Sequence, residues 1–336
     1  MHANAGRPGT DIEEGPAAGS GKGIWRRRLA RLLLLIVLGG VFLFIWKDLR
    51  AIRAYEFVLR WPLLAASFLV AIVTYLVNYA VWLKLAAAFS LHAGWRQSSY
   101  AWFVSQLGKY VPGKITMLIV RMNAYAGQPK RKIAAASGIE FLASVAASSV
   151  VVLVGVACSP TYFGVEARVA ALSLLIVLLI ALYPPVLLAA MNFLLVRLKR
   201  EPIAETPTYG LILTAVALYA LNGLIAGVWA FFLFNALTPL DWNYYLVLTA
   251  SCYGASLIGF AVLFAPGGIG VREGILFLIL PLFMPKPAVI VGTILMRLLV
   301  IVVELALAAA AAAAFRFGGG NRTGVRSTDS ADGSMA

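Results

Sequence analysis

The sequence predicts an all-α polytopic membrane protein, a bundle of about eight transmembrane helices, and three observations carry that prediction. The 336 residues are 62% hydrophobic. Only 12% are charged, against about 25% in soluble globular domains. Apolar runs of about 20 residues, enough to cross a hydrocarbon core of about 30 Å, recur along most of the length.

In chain order, residues 1–28 are rich in Gly, Ala and charge without periodicity and read as a disordered cytoplasmic tail. The stretch "RRRLARLLLLIVLGGVFLFIW" has the charged flank and apolar run of a signal peptide. The run is too long for a usual h-region, however, and "WKDLR" follows in place of a small-residue cleavage site. Residues 29–46 therefore read as a retained first span. Lys47, Arg50, Arg53 and Arg60 then suggest an interfacial helix lying on the membrane. Further spans are expected at 62–84, 133–157, 169–191, 209–235, 244–265, 271–285 and 287–314. The segment 271–285 is short and interrupted by Pro281, which suits a re-entrant segment as well as a span. The last span ends in an alanine run, a strong helix former. Residues 316–336 form a second polar tail, so one transmembrane domain, 29–315, lies between two tails.

Charge orients the bundle. The formal net charge is +14. With the N-terminus in the cytoplasm and strict alternation, most cations fall inside; residues 84–132 alone hold eight Lys or Arg and no acid. Both termini are then cytoplasmic, and the expected location is the cell inner (plasma) membrane. The basic balance suits anionic headgroups. No aromatic-basic module points to nucleic acid. Cys158, Cys252, His2 and His92 have no metal-ligand spacing, so no metal, cofactor or disulfide framework is expected.

Two glycine-proline breaks interrupt the apolar pattern. The first, "GKYVPGKI" at 108–115, nearly spells a P-loop, but Ile115 replaces the Ser/Thr that would hold magnesium. The preceding "WRQSSYAWFVSQL" resembles an interfacial amphipathic helix more than a strand, and no acid lies between Glu56 and Glu140. Two readings of Lys109 and Lys114 fit: an anion site at broken backbone beside a helix start, or a cytoplasmic loop touching headgroups. The second break, "PGGIGVRE" at 266–273, precedes another apolar run. Each break is followed by a span with a charge, Glu140 and Arg297 respectively, and intramembrane charges commonly face a pathway. Paired discontinuous helices point to a midplane site. Strict alternation nevertheless puts both breaks on one side, which does not suit an inverted repeat unless one of them is re-entrant. Glu304 lies two helical turns beyond Arg297, too far for a direct pair, and reads as more structural than functional. Asn78, Asn222 and Tyr253 read as interhelical hydrogen-bonding points.

On "GKYVPGK", Arg121, Glu140, "PGGIGVRE" and Arg297, the chain resembles the flippase-like, lysylphosphatidylglycerol-synthase transmembrane-region family over residues 29–315. That family includes the membrane half of the multiple peptide resistance factor, which moves an aminoacylated phosphatidylglycerol between leaflets. The resemblance implies lipid handling by a bundle of about eight spans. The factor's aminoacyl transfer sits in a separate soluble domain, and this chain ends about twenty residues after its last span, so lysyl-lipid synthesis is not expected.

The expected function is non-enzymatic translocation of an anionic, phosphate-bearing lipid of phospholipid or polyprenyl-phosphate type. The expected substrate-binding residues are Lys109, Lys114, Arg121, Glu140, Arg272, Glu273 and Arg297, with no catalytic residue. A non-transporting subunit working with envelope-biosynthesis proteins and a lipid-modifying transferase are the alternatives. The transferase would need a general base such as Glu140 or Glu273.

Overall fold

The computed structural model describes residues 48–110, 116–181, 208–261 and 270–319, with a few single positions besides. The expected tail 1–28, residues 320–336 of the expected tail 316–336, nearly all of the first span at 29–46, and Lys114 lie outside the described residues. The described residues form helices and contain no strand. In order they are α1 Leu49–Ala54, α2 Trp61–Ala88, α3 Trp95–Leu107, α4 Thr116–Ala124, α5 Lys130–Ala157 and α6 Val165–Ala181. There follow α7 Tyr209–Asn235, α8 Tyr245–Ala261, α9 Val271–Ile279 and α10 Lys286–Gly319.

Four of them, α2, α5, α7 and α10, are long and apolar enough to cross a membrane, as a helical membrane protein requires. Proline marks where two of them start: Pro62 opens α2 and Pro129 caps α5, positions where a missing N–H costs nothing. None of the six residues of α1 is fully buried, although Ile52 packs against the core, and Lys286 ties its start to α10 through Asp48 at 2.7 Å.

At 244–265, and at 271–285, open to reading as a re-entrant segment, the described helices are shorter than the expected spans. Helix α8 has 17 residues and α9 only 9, and the two pack against each other. The reason is local. Gly268 (φ +70) and Gly270 (φ +85) adopt backbone that other residues avoid, and a Cβ on Gly268 would stand 3.1 Å from the Gly259 carbonyl oxygen. Glu273 then accepts the Gly270 N–H at 2.6 Å and caps the first turn of α9.

The stretch 108–132, open to reading as a loop, holds helix α4 and the start of α5 among its described residues. Helices α3 and α4 form a second hairpin, antiparallel because Gln97 donates to the Ala124 carbonyl (2.7 Å) while Arg121 Nε donates to Ser105 Oγ (3.0 Å). Gly108 lets the arms close, since a Cβ there would lie 2.7 Å from the Met117 nitrogen.

The order long helix, broken hairpin, long helix therefore occurs twice: α2, α3–α4, α5, then α7, α8–α9, α10. Helices α2 and α7 are antiparallel, with Arg60 donating to Asn235 (3.3 Å), Ser67 to the Trp229 carbonyl (2.8 Å) and Asn222 to the Thr74 carbonyl (3.0 Å). The second unit is thus inverted relative to the first. The two hairpins open at opposite ends of the bundle. Each sets its first arm against the closing helix of the other unit, α3 on α10 and α8 on α5. Tyr100 stacks on Phe315 (4.8 Å) in the first pair, and Phe141 meets Phe260 (5.0 Å) in the second. Inversion removes the difficulty that strict alternation created for a repeat.

Candidate functional site at the hairpin tips

The tip of the α3–α4 hairpin reaches the middle of two long helices. Lys109 pairs with Glu304, about half-way along α10, and Tyr75, half-way along α2, donates to the same carboxylate oxygen. Tyr110 donates to the other oxygen at 2.9 Å. Glu304 is 2% exposed, so its charge is held by three donors rather than by solvent.

The α8–α9 hairpin delivers Arg272 and Glu273 to the same neighbourhood. Glu273 Oε1 lies 3.8 Å from Arg297 Nε, a loose pair with both side chains partly open. Arg297 and Lys109 both stand over the Tyr110 ring, at 5.6 and 5.3 Å. Lys109 is within electrostatic reach of Arg272 and Arg297 as well as Glu304. Among the described residues, three cations thus meet two carboxylates at the tips.

A separate cluster lies in the first unit. Arg121, 1% exposed, pairs with Glu140, donates to Ser105 (3.0 Å) and Ser137 (3.2 Å), and stands 4.2 Å over the Trp82 ring. Trp102 Nε1 donates to Glu140 at 2.8 Å and the Tyr219 hydroxyl does so at 3.4 Å. A buried cation with this many partners is an internal lock between α4 and α5.

The residues expected to act together therefore divide. Lys109, Arg272, Glu273 and Arg297 meet at the tips; Arg121 and Glu140 are paired elsewhere; Lys114 lies outside the described residues. Glu140 neutralises Arg121 and not Arg297. Sequence reasoning undervalued Glu304, whose partner comes from a hairpin 195 positions away, and it missed Tyr75, Tyr110 and Trp102. Glu304 at least carried a signal, a carboxylate inside an apolar run. The aromatic donors carried none, because aromatic residues are common in spans for packing alone. Asn222 does bridge helices, donating to Asn78 at 2.8 Å.

A cavity of about 190 Å³ adjoins Arg272, between α7, α8, α9 and α10. Among the described residues, no group of three or more His, Cys, Asp or Glu is placed to hold a metal ion.

Compared with known proteins, the chain matches no protein-family model and no curated protein.

Proposed function

We propose that this chain is a non-enzymatic lipid translocase of the flippase-like kind it resembles, handling an anionic, phosphate-bearing lipid in the cell inner membrane. The observation that carries the reading is the meeting of two broken hairpins, entering from opposite ends, at a cation-rich cluster half-way along α2 and α10. In this reading both hairpins are re-entrant and the tips lie near the bilayer midplane. Broken backbone there is supported only by surrounding protein or an aqueous cavity, and oppositely oriented broken helices are how several transporters build a central site. The basic stretch 84–132 supports a cytoplasmic opening for the first hairpin.

Chemically, Lys109, Arg272 and Arg297 would attract the phosphate, while Glu273 and Glu304 would keep it from binding too tightly to leave. The tails would stay in lipid. Movement would follow a gradient or a coupled ion.

Reconstitution into liposomes with fluorescent anionic lipids tests the reading. Wild type should move one lipid class, and Arg297→Ala should fail while keeping its fold. A wild type that moves no lipid would transfer weight to a non-transporting subunit of envelope lipid or lipid-linked glycan assembly. One observation already favours that second reading: Arg121, expected to bind substrate, is spent on Glu140.

A further inference from the structure

We infer that a water molecule bridges α9 to α10, held by Arg272, Glu273, Thr293 and Arg297, and that Thr293 is thereby a positioning residue for the Arg272 guanidinium. Three observations converge on one spot. The Thr293 side chain is 1% exposed, and its hydroxyl has no hydrogen-bond partner among the described residues. The buried Nε–H of Arg272 is in the same state. Glu273 Oε1 and Arg297 Nε stand 3.8 Å apart, beyond a direct hydrogen bond and within the span of a bridging water. All four residues line one small cavity between the two helices, of about 10 Å³, roughly the room that a water's centre requires.

The hydroxyl singles out the place. A threonine or serine inside a helix commonly gives its proton to the carbonyl one turn back. Thr249, Ser251 and Ser256 of α8 do so, at 2.7, 2.7 and 2.6 Å. Thr293 does not, although it lies within α10. Helical spacing puts 293, 296, 297 and 300 on one face of α10, and that face meets Arg272, Glu273 and Leu276 of α9.

The chemistry of the lining selects a neutral ligand, since two guanidinium groups repel a metal cation and Glu273 repels an anion. A water accepts the Arg272 Nε–H and donates to Glu273 Oε1, whose other oxygen already accepts the Gly270 N–H. It forms a third bond with Thr293 or Arg297, and about three partners are usual for a buried water. Arg272 also lines the larger cavity, so a bond at its Nε fixes how the guanidinium is presented there. The first hairpin, by contrast, holds its carboxylates directly, through Lys109 and Arg121. The water site stands apart from the lipid reading; only the bearing of Arg272 on a substrate rests on it.

Solid-state NMR of the full chain in lipid bilayers, with isotope-labelled arginine, tests the inference. Arg272 Nε is assigned by its loss in Arg272→Lys, and magnetisation passed from water protons reports the contact. Wild type should show that transfer, with an Nε–H that exchanges slowly with bulk solvent. Thr293→Val removes one partner of the water. It should cut the transfer severalfold and raise the unfolding equilibrium constant about tenfold, the scale of a buried polar group left unpaired. Thr293→Ser keeps the hydroxyl and should retain the transfer.

The inference is overturned if water passes no magnetisation to Arg272 Nε, or if a folded Thr293→Val receives as much as wild type. Rapid exchange of the Nε–H with bulk solvent would also sink it, because that describes an open aqueous path. Should Thr293→Val not fold, slow-exchanging transfer kept by Thr293→Ser sustains the inference, and its loss there overturns it. Liposome transport separates this from the proposed function. A water contact in a wild type that moves no lipid would leave the site and sink translocation, and transport without the contact would do the reverse.

Discussion

Lys109 and Glu304 form an ion pair across the centre of the bundle, joining the tip of one hairpin to the middle of the last long helix. The pair is uneven, because the Lys109 side chain is 31% exposed and that of Glu304 is 1% exposed. Removing the lysine therefore leaves a carboxylate that water cannot reach without a cation, held by Tyr75 and Tyr110 alone. Lys109→Met should destabilise the protein by about 3–5 kcal/mol, and Lys109→Met combined with Glu304→Gln should regain most of the loss. Thermal unfolding of the purified single and double variants checks this; a double variant as unstable as the single would refute it.

The Arg121–Glu140 lock predicts a graded series. Glu140→Ala leaves a fully buried guanidinium and should cost about 3–5 kcal/mol. Trp102→Phe removes one donor to the same carboxylate and should cost only about 1–3 kcal/mol. Denaturation midpoints in mild detergent rank the two, and equal losses would mean that Glu140 is not the centre of the cluster.

Helix α5 holds an internal control in its glycines. A Cβ on Gly155 would stand 2.6 Å from Ala250 Cβ on α8, whereas Gly138 has nothing within 4 Å. Gly155→Ala should cost about 1–3 kcal/mol through overpacking, and Gly138→Ala should stabilise by about 0.5–1 kcal/mol through helix propensity. Opposite shifts in melting temperature are expected. Shifts of the same sign would deny the close α5–α8 contact on which the exchange of hairpins between units depends.

Opposed hairpins also predict opposed accessibility. Arg96 and Asn243, both exposed, mark the open ends of the two hairpins. Arg96→Cys and Asn243→Cys, each without Cys158 and Cys252, should label with impermeant maleimide from opposite faces of sealed vesicles. Labelling from one face would return the chain to the same-side arrangement that simple alternation of spans implies.

The sequence by itself determined the material of the bundle. Hydrophobic share and run length separate a helical membrane protein from a soluble one, since a bilayer leaves backbone polar groups no partner except within the helix. Glycine marked both breaks for different local reasons, room for the close approach of two arms at Gly108 and a backbone geometry that other residues avoid at Gly268 and Gly270. The charges inside apolar runs, Glu140, Arg297 and Glu304, were visible because burying them is costly.

Tertiary structure alone decided which charges meet. Hydropathy cannot distinguish a span from a hairpin arm, so 244–265 read as a span and 271–285 as a span or a re-entrant segment, and only the tertiary structure packs their helices together. Pairing is a long-range property: Glu304 finds Lys109, Arg121 finds Glu140, and Arg272 finds no carboxylate among the described residues, and no spacing along the chain encodes those outcomes. They follow from the inversion of one helical unit against the other, which brings both hairpin tips to the middle of the long helices and leaves one arginine beside a cavity.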